Sequence, residues 1–129
     1  MGMDKPKIAV AGLNPHASES RIFGCEEIDE IIPAVQEARK HGINVDGPIA
    51  PGTVFLKAYN WQYDVVVVMY HDQEHIPTKL LGFDTGVNMI AGLPIVRTSV
   101  NHGTVFDIVG KGIAKGDSMI EAPKVADLF

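Results

Sequence analysis

Two histidines of this chain each follow a run of apolar residues, and they are the first candidates for chemistry. His71 and Asp72 come just after the apolar run at 65–69, and His16 follows the apolar segment at 7–13. Ligands of open α/β sheets bind beyond the carboxyl ends of the strands. If both runs are neighbouring parallel strands, these side chains emerge at one sheet edge, where they could hold a divalent cation and leave positions open for a substrate. The alternative is that each histidine only caps a turn.

His75 offers a competing interpretation, because it stands four residues after His71 in H-D-Q-E-H. Two histidines at this spacing occupy one helix face, as the zinc ligands of H-E-x-x-H hydrolases do. That motif places Glu directly after the first histidine, whereas this chain has Asp72. Pro77 also disfavours a long straight helix. We keep a zinc hydrolase using His71 and His75 as an alternative, beside the simpler view that His75 is an ordinary helix residue.

Lys79, Asn88 and Arg97 form a second set of candidates. Lys79 follows His71 by two helix turns, and Asn88 stands between two apolar residues. Arg97 lies in the apolar segment L-P-I-V-R-T-S, where an unpaired guanidinium would be costly. An arginine in such a place meets either a buried carboxylate or the anion of a ligand. The set therefore predicts a phosphate or carboxylate pocket, with a structural ion pair of Arg97 as the alternative.

Strands and helices alternate along the chain, which indicates an α/β fold. We expect the valine-rich run at 65–68 to be buried on both faces, as in parallel sheets. The segment 43–49 is expected to be interrupted at 46–48, where Gly and Pro follow Asp. The strand candidates are 7–13, 43–49, 64–69, 87–90 and 95–99.

The clearest helix is expected at 26–41, where apolar residues recur every three or four positions. Glu26 and Glu27 suit the positive end of its dipole, and Pro33 is expected to kink it. For the last helix, Ser118 is the expected N-cap, with Glu121 completing a capping box. The other helices are expected at 53–59 and 73–81.

Composition narrows the class of protein. The chain has 129 residues, of which 46% are hydrophobic and 21% charged, as in an ordinary globular domain. A net charge of -5 argues against nucleic acid or an anionic membrane as the main partner. Cys25 is the single cysteine, so an internal disulfide is excluded and a cytoplasmic location is expected. The sequence has neither a signal-peptide pattern nor an apolar run long enough to span a bilayer.

The glycine-spaced stretch 101–116 resembles a known cofactor loop. It does not match the Rossmann fingerprint, because its glycine spacing is wrong and no helix opens directly after a strand. However, H-G-T-V-F-D-I-V-G-K-G-I-A resembles the adenosine-binding loop of isocitrate and isopropylmalate dehydrogenases. Other motifs are similar to the 4-hydroxythreonine-4-phosphate dehydrogenase family of pyridoxal phosphate biosynthesis. These motifs are I-A-V-A-G-L-N-P-H-A, G-C-E-E-I-D-E-I-I-P-A, M-Y-H-D-Q, K-L-L-G-F and G-V-N-M-I-A-G-L-P-I-V-R-T-S-V-N-H-G-T.

The resemblance runs over nearly the whole chain and corresponds to the C-terminal part of the family's protein. It implies part of an isocitrate/isopropylmalate-dehydrogenase-like three-layer fold. It also implies metal-assisted, NAD-dependent oxidation and decarboxylation of a phosphorylated hydroxy acid such as 4-phosphooxy-threonine. H-I-P-T-K-L-L-G-F is similar to the paralogues that act on phospho-threonate or phospho-erythronate. The implied partners are NAD or NADP, a divalent Zn, Mg or Co ion, a second copy in a homodimer, and a separate N-terminal half.

The resemblance also implies roles for individual residues. A substrate and metal segment would span about 7–95, and an NAD-adenosine segment about 96–129. Asp72 falls on a carboxylate beside the metal, and a further histidine ligand of the family lies outside the match. Metal ligands would be His16 and His71, substrate-binding residues Lys79, Asn88 and Arg97, and cofactor-binding residues His102, Gly103, Thr104, Asp107, Gly110 and Gly112.

The chain departs from the family pattern at three places. Residues 18–21 read S-E-S-R where G-E-G is common, Glu74 replaces a common Gly, and Asn101 replaces a common Asp. Together with the partial match, these departures keep a second alternative open. The chain would then be a truncated remnant or dimerisation fragment without catalytic activity.

Overall fold

The apolar segment before His16 forms the central strand of a parallel sheet. This strand, β1 (Ile8–Ala11), lies between β2 (Val45–Ile49) and β3 (Val65–Val67), and Ile8 is in register with both Val45 and Val65. The computed structural model describes residues 2–17 and 21–129, so the departure noted at 18–20 lies outside the described residues. It contains two compact units, Gly2–His75 and Ile76–Phe129, and the sheet belongs to the first.

The two crossovers of this sheet are helical, as is usual for connections between parallel strands. Helix α1 (Ile32–Lys40) connects β1 to β2, and α2 (Pro51–Tyr59) connects β2 to β3. Successive residues of β1 point to opposite faces, so Ala9 and Ala11 pack with Val54 of α2, while Ile8 and Val10 pack against the cluster formed with α1. The α/β class expected from the sequence is therefore confirmed for this unit.

The expected burial of β3 on both faces is wrong. Val65 and Val66 are half-buried, and Val67 is 44% exposed. Among the described residues, β1 is the only strand that pairs with β3, so β3 is an edge strand. The valine run therefore predicted the strand correctly, but the prediction that both of its faces are covered was wrong.

The first helix begins with a π-helical segment, Glu27–Ile31, before α1. Pro33 is the second residue of α1 and has no N–H to donate. The Ile32 N–H just before it donates to the Glu27 carbonyl, so the helical backbone continues across the junction. The expected single helix with an internal proline is thus two segments with the proline near their junction. Glu27, expected at the positive end of the dipole, begins the π-helical segment and is buried.

Strand β2 continues through 46–48, contrary to the expected interruption. Ala9 pairs with Asp46 and Ala11 with Ile49, so two residues of β2 lie opposite Val10 alone. This bulge brings Gly47 against β1: a Cβ at Gly47 would lie 2.7 Å from the Val10 Cβ and 2.8 Å from its carbonyl oxygen. Only glycine fits at this position, because the backbone of β1 approaches too closely for a Cβ atom.

The second unit begins within helix α3 (His71–Gly82), which forms at the expected place despite Pro77. Strands β4 (Val87–Ile90) and β5 (Arg97–Val100) pair antiparallel, with Asn88 opposite Ser99, and helix α4 (Asp117–Ala126) packs on both. Before α4 the chain makes a 3₁₀ turn, Phe106–Ile108. No helix in the described part of the chain is both long and apolar enough to cross a bilayer.

The expected capping role of Ser118 is wrong. The N-cap of α4 is Gly116, and Ser118 is buried one position inside the helix. Its Oγ donates to the Gly86 carbonyl at 2.8 Å and accepts from the Asn101 N–H at 3.1 Å. The hydroxyl therefore joins α4 to the start of β4 and the end of β5, while Glu121 pairs with a lysine on its own helix.

Replacing Gly47 with alanine should destabilise the sheet. Because the added Cβ would overlap Val10, we expect Gly47→Ala to lower the free energy of unfolding by about 1–3 kcal/mol. Gly52→Ala is the matched control, since no described atom lies within 4 Å of a Cβ built there. Urea denaturation followed by circular dichroism measures both. Equal stability of the two variants would contradict the close approach of β2 and β1.

Candidate functional site

His16 lies in a tight loop directly after β1. The Asn14 side chain organises this loop: its Oδ1 accepts from the His16 N–H at 3.0 Å, and its Nδ2 donates to the Phe23 carbonyl at 2.9 Å. The imidazole of His16 is exposed and stacks on the Phe23 ring, with centroids 4.4 Å apart. The loop therefore presents His16 at the carboxyl end of the central strand.

His71 begins helix α3, directly beyond the end of β3. It is exposed, as is Asp72 beside it, so both side chains are available to a ligand. The helix was expected at 73–81, and it begins two residues earlier, so both side chains lie in its first turn. Carboxylates such as Asp72 are favoured there by the helix dipole.

Gln73 connects the ends of these two strands. Its Nε2 donates to the Gly12 carbonyl at 2.7 Å, just after β1, and its Oε1 accepts from the Met69 N–H at 2.8 Å, just after β3. The side chain is buried, and its bond to the Gly12 carbonyl is shielded from water. The amide thus fixes the separation of the two segments that carry His16 and His71.

The geometry supports part of the expected metal site. Because β1 and β3 are parallel neighbours, their carboxyl ends lie at the same edge of the sheet. His16 and His71 each come after one of these strand ends, where ligands of α/β sheets bind. Yet residues 2–17 and 21–129 contain no group of three or more His, Cys, Asp or Glu side chains able to hold a metal ion. A cation at this edge would therefore need ligands in addition to His16 and His71.

His75 lies against His71, as the helical spacing requires. The two rings stack with centroids 3.6 Å apart, and Nδ1 of His75 contacts the Glu74 carboxylate. The proposed H-E-x-x-H-like pair is present on one helix, without a third ligand among the described residues.

Asn88 and Arg97 share one face of the β4–β5 pair. Arg97 is opposite Ile90, and Asn88 lies two residues from Ile90 along β4, so all three side chains point the same way. Arg97 was expected inside an apolar strand, but it is the first residue of β5 and is exposed. Lys79 is also exposed, in the last turn of α3. All three candidates are therefore accessible to an anionic ligand.

The glycine-spaced stretch forms a cavity of about 370 Å³ in the second unit. This volume lies within the range of small-molecule sites. Of the six predicted cofactor-binding residues, Gly103 and Asp107 are not part of its lining. Asp84 and Lys115, which the sequence did not single out, also line it and form an ion pair at 3.2 Å. The predicted residues that do line it are His102, Thr104, Gly110 and Gly112.

Comparison with known proteins shows the family to which the chain belongs. Residues 1–126 match the family described as "Pyridoxal phosphate biosynthetic protein PdxA". The chain is 58% identical over 126 residues to the D-threonate 4-phosphate dehydrogenase of Salmonella typhimurium, covering 98% of this chain and 38% of that protein. It is 54% identical over 127 residues to the 4-hydroxythreonine-4-phosphate dehydrogenase of Desulforapulum autotrophicum, covering 98% and 37%.

The solved structures agree. The crystal structure of a 4-hydroxythreonine-4-phosphate dehydrogenase from Klebsiella pneumoniae superposes with a TM-score of 0.84 and 54% identity, covering 97% of this chain and 38% of that one. The resemblance drawn from the sequence motifs is thereby confirmed. The chain spans about two-fifths of the length of the relatives it matches.

Removing the hydrogen-bonding groups of Gln73 should loosen the two strand ends. Gln73→Met keeps a similar shape but leaves the Gly12 carbonyl and the Met69 N–H unpaired, so we expect a loss of about 1–3 kcal/mol in the free energy of unfolding. Amide hydrogen exchange at Met69 should accelerate as well. Gln36→Met, at an exposed position of α1, is the control. Unchanged exchange at Met69 in Gln73→Met would show that the connection does not hold.

Proposed function

Because the chain belongs to the family of the pyridoxal phosphate biosynthetic protein PdxA, we propose that it is part of a dehydrogenase of phosphorylated hydroxy acids. The observation that carries this proposal is the 58% identity, over 98% of the chain, to a D-threonate 4-phosphate dehydrogenase. D-threonate 4-phosphate and 4-hydroxythreonine 4-phosphate are the candidate substrates, since relatives of both names are similar to this chain at 58% and 54% identity. The complete enzyme would have the isocitrate/isopropylmalate-dehydrogenase-like fold.

The proposed reaction is the oxidation of a secondary alcohol by NAD or NADP. Bound NAD or NADP would accept the carbinol hydrogen as hydride and a base would take the hydroxyl proton. The resulting β-keto acid would lose CO₂, and a proton would take the place of the carboxylate. Exposed Asp72, in the first turn of α3, is the proposed carboxylate that positions the substrate or relays this proton. The chemistry of hydride transfer belongs to the cofactor, so the chain contributes alignment.

His16 and His71 are the proposed metal ligands of this chain. Their fit is supported by their exposure and by their positions after neighbouring parallel strands, with Gln73 joining the two strand ends. A bound divalent cation such as Zn, Mg or Co lowers the pKa of a coordinated alcohol and polarises a ketone. The remaining ligands would come from outside the described residues, such as a separate N-terminal half or a second subunit of a homodimer.

Lys79, Asn88 and Arg97 are the proposed binders of the substrate's anionic groups. Their exposure supports this role, because a guanidinium and an ammonium on the surface are free to receive a phosphate. The shared face of Asn88 and Arg97 would allow both to reach one ligand. These residues fall in the proposed substrate and metal segment, about 7–95, ahead of the proposed NAD segment, about 96–129.

The cavity of the second unit is the proposed site for the adenosine end of the dinucleotide. Its volume of about 370 Å³ and its lining by His102, Thr104, Gly110 and Gly112 support this assignment. Exposed Gly103 and Asp107 would contribute from outside the lining.

A remnant without catalytic activity is the second candidate. It is favoured because residues 2–17 and 21–129 contain no group of three or more side chains able to hold a metal ion. Turnover separates the two candidates: NADH absorbance should rise when either candidate phosphate is oxidised by this chain with a separately expressed N-terminal half of a relative. Metal binding without turnover in that mixture favours the remnant.

Substitution of either proposed ligand should weaken metal binding. We expect His16→Ala and His71→Ala each to lower the affinity for Co²⁺ by about tenfold or more, since each removes a direct ligand. Titration calorimetry of the 129-residue chain measures this. His41→Ala, an exposed histidine beside Glu37 on α1, should have no effect.

The same titration separates the zinc hydrolase alternative. If His75→Ala abolishes metal binding while His16→Ala leaves it unchanged, the metal lies on α3 alone and the proposed two-strand site is wrong.

Filling the cavity should weaken NAD binding. Ile113 lines it and is 64% exposed, so a tryptophan there would occupy ligand space without disturbing a packed core. We expect Ile113→Trp to lower NAD affinity by roughly tenfold, equivalent to about 1.4 kcal/mol. Ile120→Trp is the control, because Ile120 is 60% exposed, belongs to α4 and does not line the cavity. Equal NAD affinity of the two variants would contradict the assignment.

A further inference from the structure

The least exposed charged side chain of the described residues is Glu27, and nothing in the proposed chemistry uses it. Its exposure is 0%, although it is the first residue of a helical segment, where glutamates are normally solvated. Burying a carboxyl group is costly unless its oxygens accept hydrogen bonds. The partners of Glu27 therefore indicate what its burial achieves.

Both oxygens of Glu27 bind Asn14. Oε1 accepts from the Asn14 backbone N–H at 2.9 Å, and Oε2 accepts from the Asn14 Nδ2 at 3.1 Å. This two-point contact fixes the backbone and the side chain of Asn14 together. Hydrogen bonds to a carboxylate are shorter and stronger than neutral ones, so the pair forms a rigid anchor for the loop after β1.

Asn14 transmits this constraint to His16 by two routes. Its Oδ1 accepts from the His16 N–H at 3.0 Å, which fixes the backbone of the histidine. Its Nδ2 also donates to the Phe23 carbonyl at 2.9 Å, and the Phe23 ring stacks on the imidazole. The backbone and the ring plane of His16 thus both depend on the orientation of Asn14.

We propose that Glu27 is a positioning residue for His16, acting through Asn14 and Phe23 to hold the imidazole in the orientation that binds a divalent cation. The inference rests on the proposed metal role of His16. It deepens that role because it names the buried group that prepares the ligand before the metal arrives. Preorganisation of this kind reduces the ordering cost of binding.

Glu27→Gln tests the proposal with little change in volume. Its amide oxygen can still accept from the Asn14 N–H, but its NH₂ group would face the Asn14 Nδ2, so donor meets donor. We expect Co²⁺ affinity to fall by roughly 10–100-fold, as on losing a group that orients a ligand. The visible absorption of bound Co²⁺ should change, and exchange of the His16 N–H should accelerate. Glu30→Gln, an exposed neighbour in the same π-helical segment, is the matched control.

A stability effect alone does not produce this pattern. Urea denaturation reports global stability, whereas the Co²⁺ spectrum and the His16 exchange report the loop. Should Glu27→Gln fail to fold, Asn14→Ala is the second variant. It removes the side chain that bonds to Glu27, at a half-buried position, and should weaken Co²⁺ binding in the same way. Wild-type Co²⁺ affinity, spectrum and His16 exchange in the folded variant would overturn the proposal.

The failure of the proposed function has a different signature. If His16→Ala leaves Co²⁺ binding unchanged, His16 is not a ligand and the metal role is wrong, whatever Glu27 does. If His16→Ala abolishes binding but Glu27→Gln does not alter it, the metal role stands and the positioning role is wrong.

Discussion

The side-chain amide of Gln73 is the constraint on which the arrangement of this edge of the sheet depends. Parallel strands are joined along their length by backbone hydrogen bonds, but the segments beyond their ends have no such ladder. Gln73 supplies the missing connection, with one hydrogen bond to the end of β1 and one to the end of β3. Since the Gly12 carbonyl is buried, breaking its bond to Gln73 would leave a polar backbone group shielded from water. Gln73 thus connects the two segments that carry His16 and His71.

Glu27 performs the corresponding task for the loop after β1, so this edge of the sheet is organised by buried polar groups. Buried amide and carboxyl groups that are fully hydrogen-bonded specify one geometry, because alternative arrangements would leave them unpaired. The proposed metal ligands, His16 and His71, are themselves exposed. This division, with exposed histidines oriented by buried partners, is what a ligand site requires when its side chains must be accessible and yet well ordered.

The sequence predicted the elements well and their surroundings less well. The apolar runs located β1 and β3, because strand-forming residues and their abrupt polar ends are local signals. Burial of β3 was overestimated, since it depends on which segments cover the strand. Ser118 was misassigned because serine is a preferred N-cap residue, whereas here its hydroxyl bonds to Asn101 and Gly86, which flank β5 and β4. Glu27 was missed despite an available signal: it precedes buried Ile31 and Val35 by four and eight residues, which places it on the core face.

The most direct test of the central claim is X-ray absorption spectroscopy at the cobalt edge of the Co²⁺-loaded chain, which counts the imidazole rings bound to the ion. If His16 and His71 share one cation, the extended fine structure should require two imidazoles, and the His16→Ala spectrum should require one. A wild-type spectrum with one imidazole or none, or one unchanged by His16→Ala, would contradict the account.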